Sequence, residues 1–149
     1  MSAIHQNELA VNKIGITGIL LLAMAAVFAP AASAQSLHVS SDSYAAIAYS
    51  PETGFFGYSY NDGSRWAAEK AALKRCQGSD ARIVCWVNRG FCVLALGDDK
   101  SCWGAGWSYG DGASNTEAIN RALTECRRRT TGARLILCLV SDGQYVEKH

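Results

Sequence analysis

The chain has 149 residues, 49% of them hydrophobic, and 14 basic against 13 acidic side chains leave a formal net charge of +1. This suits one small domain with a core of its own, and the near-neutral balance excludes a general attraction to nucleic acid or to an anionic membrane. Six cysteines without a C-x-x-C pair, and histidines only at His5, His38 and His149, do not make the usual zinc ligand spacings, so neither metal nor cofactor is expected.

The first segment reads as a targeting signal. Residues 1–13 are polar, Ile14 to Ala29 is an apolar run, and Pro30 is followed by Ala32-Ser33-Ala34. That is the layout of a secretory signal peptide cleaved after Ala34. An apolar run of 16 residues that includes Gly15 and Gly18 is short for a membrane span, which needs ~20. The expected product is periplasmic or secreted, with no membrane span in its mature form. Residues 35–43 are expected to form a flexible lead-in, 44–142 one domain, and 143–149 a C-terminal tail.

Within 44–142 the sequence repeats itself. "AAIAYSPETGFFGYSY" (Ala45 to Tyr60) aligns without gaps with "CVLALGDDKSCWGAGW" (Cys92 to Trp107). "AAEKAALKRC" (67–76) then matches "EAINRALTEC" (117–126), and "ARIVCWV" (81–87) matches "ARLILCLV" (133–140). The predicted fold is therefore α+β: two β-β-α-β repeats, about 44–88 and 91–141, in antiparallel sheet with one helix packed per repeat.

In each unit the first two strands form a hairpin. Pro51 and Gly54 serve the first turn, and Asp98 and Asp99 the second. Alternation sets Phe56, Tyr58 and Tyr60 against Gly57 and Ser59, and Trp103, Ala105 and Trp107 against Gly104 and Gly106. A glycine face lets a helix backbone come close. Ser64 is the expected N-cap of the first helix, and Ser114 with Glu117 a capping box for the second. Ala68, Ala72, Leu73 and Cys76 share one face of the first helix, and Ala118, Ile119, Ala122, Leu123 and Cys126 one face of the second.

"CWGAGWSYGDGASNTEA" (102–118) has the ingredients of a phosphate loop, but Gly104 and Gly106 fall inside a strand and no G-K-[ST] follows. These glycines are read as packing positions, not as an anion cradle. The even cysteine count in a small exported domain predicts three disulfides. Repeat symmetry suggests Cys76–Cys85 and Cys126–Cys138, which leaves Cys92–Cys102 across the second hairpin.

"YAAIAYSPETGFFGYSY", "AAEKAALKRC", "CVLALG" and "GAGW" together resemble the domain of unknown function 4189 family of small exported bacterial proteins, over about Tyr44 to Val140. The resemblance implies a compact, disulfide-containing α+β domain and no established activity, so it supplies no catalytic residues.

The residues themselves carry no complete catalytic constellation. A nucleophile needs a positioned base, and His38 and His149 lie outside the repeated core. Asp98, Asp99 and Glu52 sit at hairpin tips, where turn chemistry accounts for them. Two surfaces remain. Tyr58, Tyr60, Trp103, Trp107 and Tyr109 form either a recognition platform or part of the core. Arg127, Arg128 and Arg129, with Arg121 and Arg134, either complement the helix dipole or meet an acidic partner or a phosphate-rich envelope component. The function expected is a non-enzymatic exported module that recognises or inhibits another protein. Carbohydrate or peptidoglycan binding through the aromatic strands is the alternative, and an uncharacterised hydrolase a further one.

Overall fold

A computed structural model describes residues 42–110 and 112–149; the predicted signal peptide and most of the lead-in lie outside the described residues. Nine elements follow in order: β1 (Tyr44–Tyr49), β2 (Phe56–Asp62), α1 (Arg65–Arg75), β3 (Arg82–Asn88), β4 (Gly90–Leu96), β5 (Trp103–Tyr109), α2 (Asn115–Arg127), β6 (Arg134–Val140) and β7 (Val146–Lys148). They build two antiparallel sheets, ordered β2-β1-β3 and β5-β4-β6-β7. Residues 143–149 are thus no tail: Val146, Glu147 and Lys148 pair with Leu139, Cys138 and Leu137.

The central strands explain the layering. β1 and β4 are buried along nearly their whole length. One face of β1 (Ala45, Ile47, Tyr49) meets one face of β4 (Cys92, Leu94, Leu96) in a core between the two sheets, joined by Val87, Leu137 and Leu139. The opposite face of β1 (Ala46, Ala48) receives Ala68 and Ala72 of α1. That of β4 (Phe91, Val93, Ala95) receives Ala118 and Ala122 of α2. Burial on both sides is what makes these strands read as continuous apolar runs. The order of layers is helix, sheet, sheet, helix.

Small residues set the helix-to-sheet distance. A methyl group at Gly104 would collide with the Ala122 carbonyl, and one at Gly106 with the Ala118 carbonyl. The glycines of the 102–118 segment therefore seat a helix backbone on a strand, as the alternation predicts. Leu73 departs from the expected helix face. It is 38% exposed, because the buried stripe of α1 consists of Ala68 and Ala72.

The caps differ too. Ser64 Oγ accepts from Ala67 N at 3.2 Å as expected. Ser114 makes no side-chain cap. Instead Ser108 Oγ of β5 donates to Ser114 O (2.7 Å) and accepts from Ser114 N (3.1 Å), while Glu117 pairs with Arg121 (2.7 Å). The strand, not the helix's own first turn, holds the start of α2.

The chain passes from one sheet to the other through a single residue, Arg89, at φ 48°. Its N–H donates to Ser43 O (3.2 Å) and its carbonyl accepts from Gly110 N (3.0 Å). Each sheet also carries a bulge. Ile47 faces Cys85 while Ala48 faces Ile83, which leaves Val84 as the extra residue, and in the second sheet Leu94 faces Leu137 while Ala95 faces Leu135, which leaves Ile136.

Candidate functional site

β3 and β5 are open edges of their two sheets, and β3 lies against β4 and β5. Between these edges runs a groove of about 580 Å³. Its walls include Val84, Trp86 and Val87 from β3, and Trp107 and Tyr109 from β5, with Arg89 at the crossing. The β3 bulge directs Val84 here, and Cys85 reaches the groove from the inter-sheet core. Trp86, Trp107 and Tyr109 are 40%, 42% and 72% exposed.

A second, more open groove of about 940 Å³ runs between β5 and α2, and Trp107 borders both. Here Arg121 stands over the Trp107 ring at 5.7 Å, and Arg129 over Trp103 at 5.8 Å. Arg65 of α1 stands over Trp86 at 4.1 Å. Guanidinium planes on aromatic faces fix both partners, and the same arginines pair with Glu69, Glu117 and Glu125, so the surface is apolar in its centre with ion pairs at its rim.

The five aromatic residues singled out by sequence do not form one platform. Tyr58 and Tyr60 belong to β2, on the far edge of the first sheet from β3, and stack on each other at 6.3 Å. Tyr58 packs on the inter-sheet core, with Lys148 Nζ 4.7 Å from its ring. Trp103 also packs on that core, between Arg82 and Arg129. Only Trp107 and Tyr109 of the set reach the β3–β5 groove. Their partner across it, Trp86, was missed. It lies in the apolar run "RIVCWV", where the bulge at Val84 breaks the alternation that would have marked its face.

The basic run is largely engaged locally. Arg128 and Arg129 pair with Glu125 at 3.8 and 3.4 Å, and Arg129 also donates to Trp103 O at 3.2 Å. Arg134 pairs with Asp98 at 3.8 Å, and Arg127 is exposed. The hairpin-tip carboxylates do turn work. Asp99 accepts from Ser101 N and Oγ, both at 2.8 Å, and these bonds hold its carboxyl below the usual range. Among the described residues no group of three or more His, Cys, Asp or Glu could hold a metal ion. No helix among them is long and apolar enough to cross a membrane.

The structure does not form the predicted pairs: no two of the six sulfurs are joined. Cys76 lies under α1 while Cys85 points into the core between the sheets, so they occupy opposite faces of the first sheet. Cys92 faces Trp107 across the second hairpin, and Cys102 lies beyond the Leu96–Trp103 pair near its tip, too far along to meet it. Cys126 and Cys138 share the cluster under α2, both unbonded. The register shows why symmetry misled. Cys85 matches Leu137 in sheet position, not Cys138, and one residue of slip turns a side chain to the other face. The closest sulfurs are instead Cys85 and Cys92, at 2.9 Å. Burial pushes the Cys92 thiol well above its ordinary value, and burial with nearby Glu147 pushes Cys138 up to about 12.

Comparison with known families matches residues 44–140 to the family described as "Domain of unknown function (DUF4189)". Neither the curated proteins nor the solved structures compared with the chain gave a match.

Proposed function

The chain belongs to the DUF4189 family, whose description assigns no activity, and from its surface we propose that it is an exported, non-enzymatic module that recognises another protein in the envelope or outside the cell. Its recognition surface is the groove between β3 and β5. One observation carries this reading. Trp86, Trp107 and Tyr109 are exposed together around an apolar groove, where a small domain ordinarily keeps such side chains inside. Tyrosine, tryptophan and arginine are the residues that dominate the energetics of protein interfaces.

The scaffold behind the groove is a duplicated β-β-α-β unit. Support comes from the matching strand orders, with the first strand of each unit central. It comes also from the matching bulges at Val84 and Ile136, and from Gly57 and Gly104, each crowded by the backbone nitrogen of a helix-ending cysteine, Cys76 or Cys126. Duplication places the open edges of β3 and β5 side by side and so creates the groove at the seam.

The test is comparative. The immobilised full chain, its W107A/Y109A variant and a Y60A variant are offered envelope extract and, separately, a glycan array. The expected result is a protein retained by the wild type and by Y60A but lost from W107A/Y109A. Equal retention by all three removes the groove from consideration. Glycan binding that follows the same pattern transfers the site to carbohydrate recognition.

A further inference from the structure

The geometry points to an inter-sheet disulfide between Cys85 and Cys92, a pairing that repeat symmetry does not suggest. The two residues flank the single-residue link at Arg89. Cys85 lies on the inner face of β3 and Cys92 on the inner face of β4, so the fold of the chain back upon itself brings them together. Their sulfurs are 2.9 Å apart, about 0.9 Å beyond the ~2.05 Å of a formed bond. Cys92 is fully buried and Cys85 nearly so, yet Cys85 also borders the β3–β5 groove. The nearby Cys85–Gly106 O contact, 3.3 Å, anchors this sulfur beneath β5 as well.

The chemistry is thiol–disulfide exchange with a small disulfide such as oxidised glutathione. The thiolate of Cys85, the sulfur accessible from the groove, attacks one glutathione sulfur. A mixed disulfide forms and one glutathione thiolate leaves. The thiolate of Cys92 then attacks the Cys85 sulfur and expels the second glutathione. Two protein thiols are oxidised to one disulfide, one glutathione disulfide is reduced to two thiols, and the two protons from the cysteines end on them. The product ties the two sheets together at the floor of the groove.

The test uses the full chain, unfolded in guanidinium chloride and refolded in a mixture of reduced and oxidised glutathione, so that access does not limit exchange. Free thiols are then alkylated under denaturing conditions, and the digest is mapped by mass spectrometry without reductant. The expected finding is a peptide pair joined through Cys85 and Cys92, in the wild type and equally in C102S, which lacks the half-exposed thiol. Adding dithiothreitol should lower the thermal midpoint by on the order of 5–10 °C. Recovery of Cys85 and Cys92 in alkylated form overturns the assignment. So does a link from either to another cysteine, or glutathione left on Cys85 with Cys92 alkylated.

Discussion

Replacing Gly106 by alanine tests how α2 is held. The added methyl would lie 2.7 Å from the Ala122 nitrogen and 2.9 Å from the Ala118 carbonyl carbon, and closer still to the Ala118 oxygen. All three are helix backbone, so no rotamer change relieves the clash and α2 must retreat by roughly 1 Å. That retreat loosens Ala118, Ala122 and Cys126 from Phe91, Val93 and Ala95. Overpacking of this kind costs about 1–3 kcal/mol, against a gain of about 0.4–1 kcal/mol from the stiffer unfolded chain. A net loss of about 1.3 kcal/mol predicts a thermal midpoint lower by about 5–6 °C for a domain of this size. Far-UV circular dichroism of the full chain measures it. Gly63→Ala is the control, since nothing lies within 4 Å of a methyl there and no positive φ opposes it; its midpoint should stay level or rise slightly. A G106A midpoint within about 2 °C of wild type would refute the close seating of α2 on β5.

Two other outcomes follow from local contacts. Ser108→Ala removes both bonds to the Ser114 backbone and should cost about 1–2 kcal/mol, whereas Ser114→Ala, whose side chain caps nothing, should be nearly neutral; chemical denaturation that ranks them the other way rejects the strand-held start of α2. Asp80 accepts from Ser50 Oγ and from Glu52 N, and the Ser50 bond chiefly holds its carboxyl below the usual range. A lowered folded value means that this contribution is present at neutral pH and is lost as pH falls through the folded value. D80N should therefore lose less stability than wild type on acidification, and parallel losses would count against a role for Asp80 at the β1–β2 turn.

The order and type of the elements were legible because the apolar runs, the two turns and the alanine-rich helices are local signals. What was not legible depends on long-range register. The bulges at Val84 and Ile136 leave no mark in composition, and the register decides which way Cys85 and Cys138 point. Ser114 and Glu117 have the spacing of a capping box, yet Ser108 arrives from the neighbouring strand and takes the same backbone groups. Trp86 was hidden in an apolar run whose two faces cannot be told apart until the second sheet is known. β7 is short and polar in sequence, and its identity comes from pairing with β6. The aromatic set divided for the same reason: β2 and β5 occupy matching places in the two sheets, but the sheets stack so that β5 lies beside β3.

The one-residue passage at Arg89 bears on self-association. A non-glycine residue in the left-handed region costs roughly 1 kcal/mol, and straightening it would merge β3 and β4 into a single strand from Arg82 to Leu96. Each half would then pack on the complementary half of a second molecule, giving an exchanged dimer with every native contact kept but the corner. A bond between the sulfurs on either side of that corner would forbid the exchange and keep the monomer closed on itself.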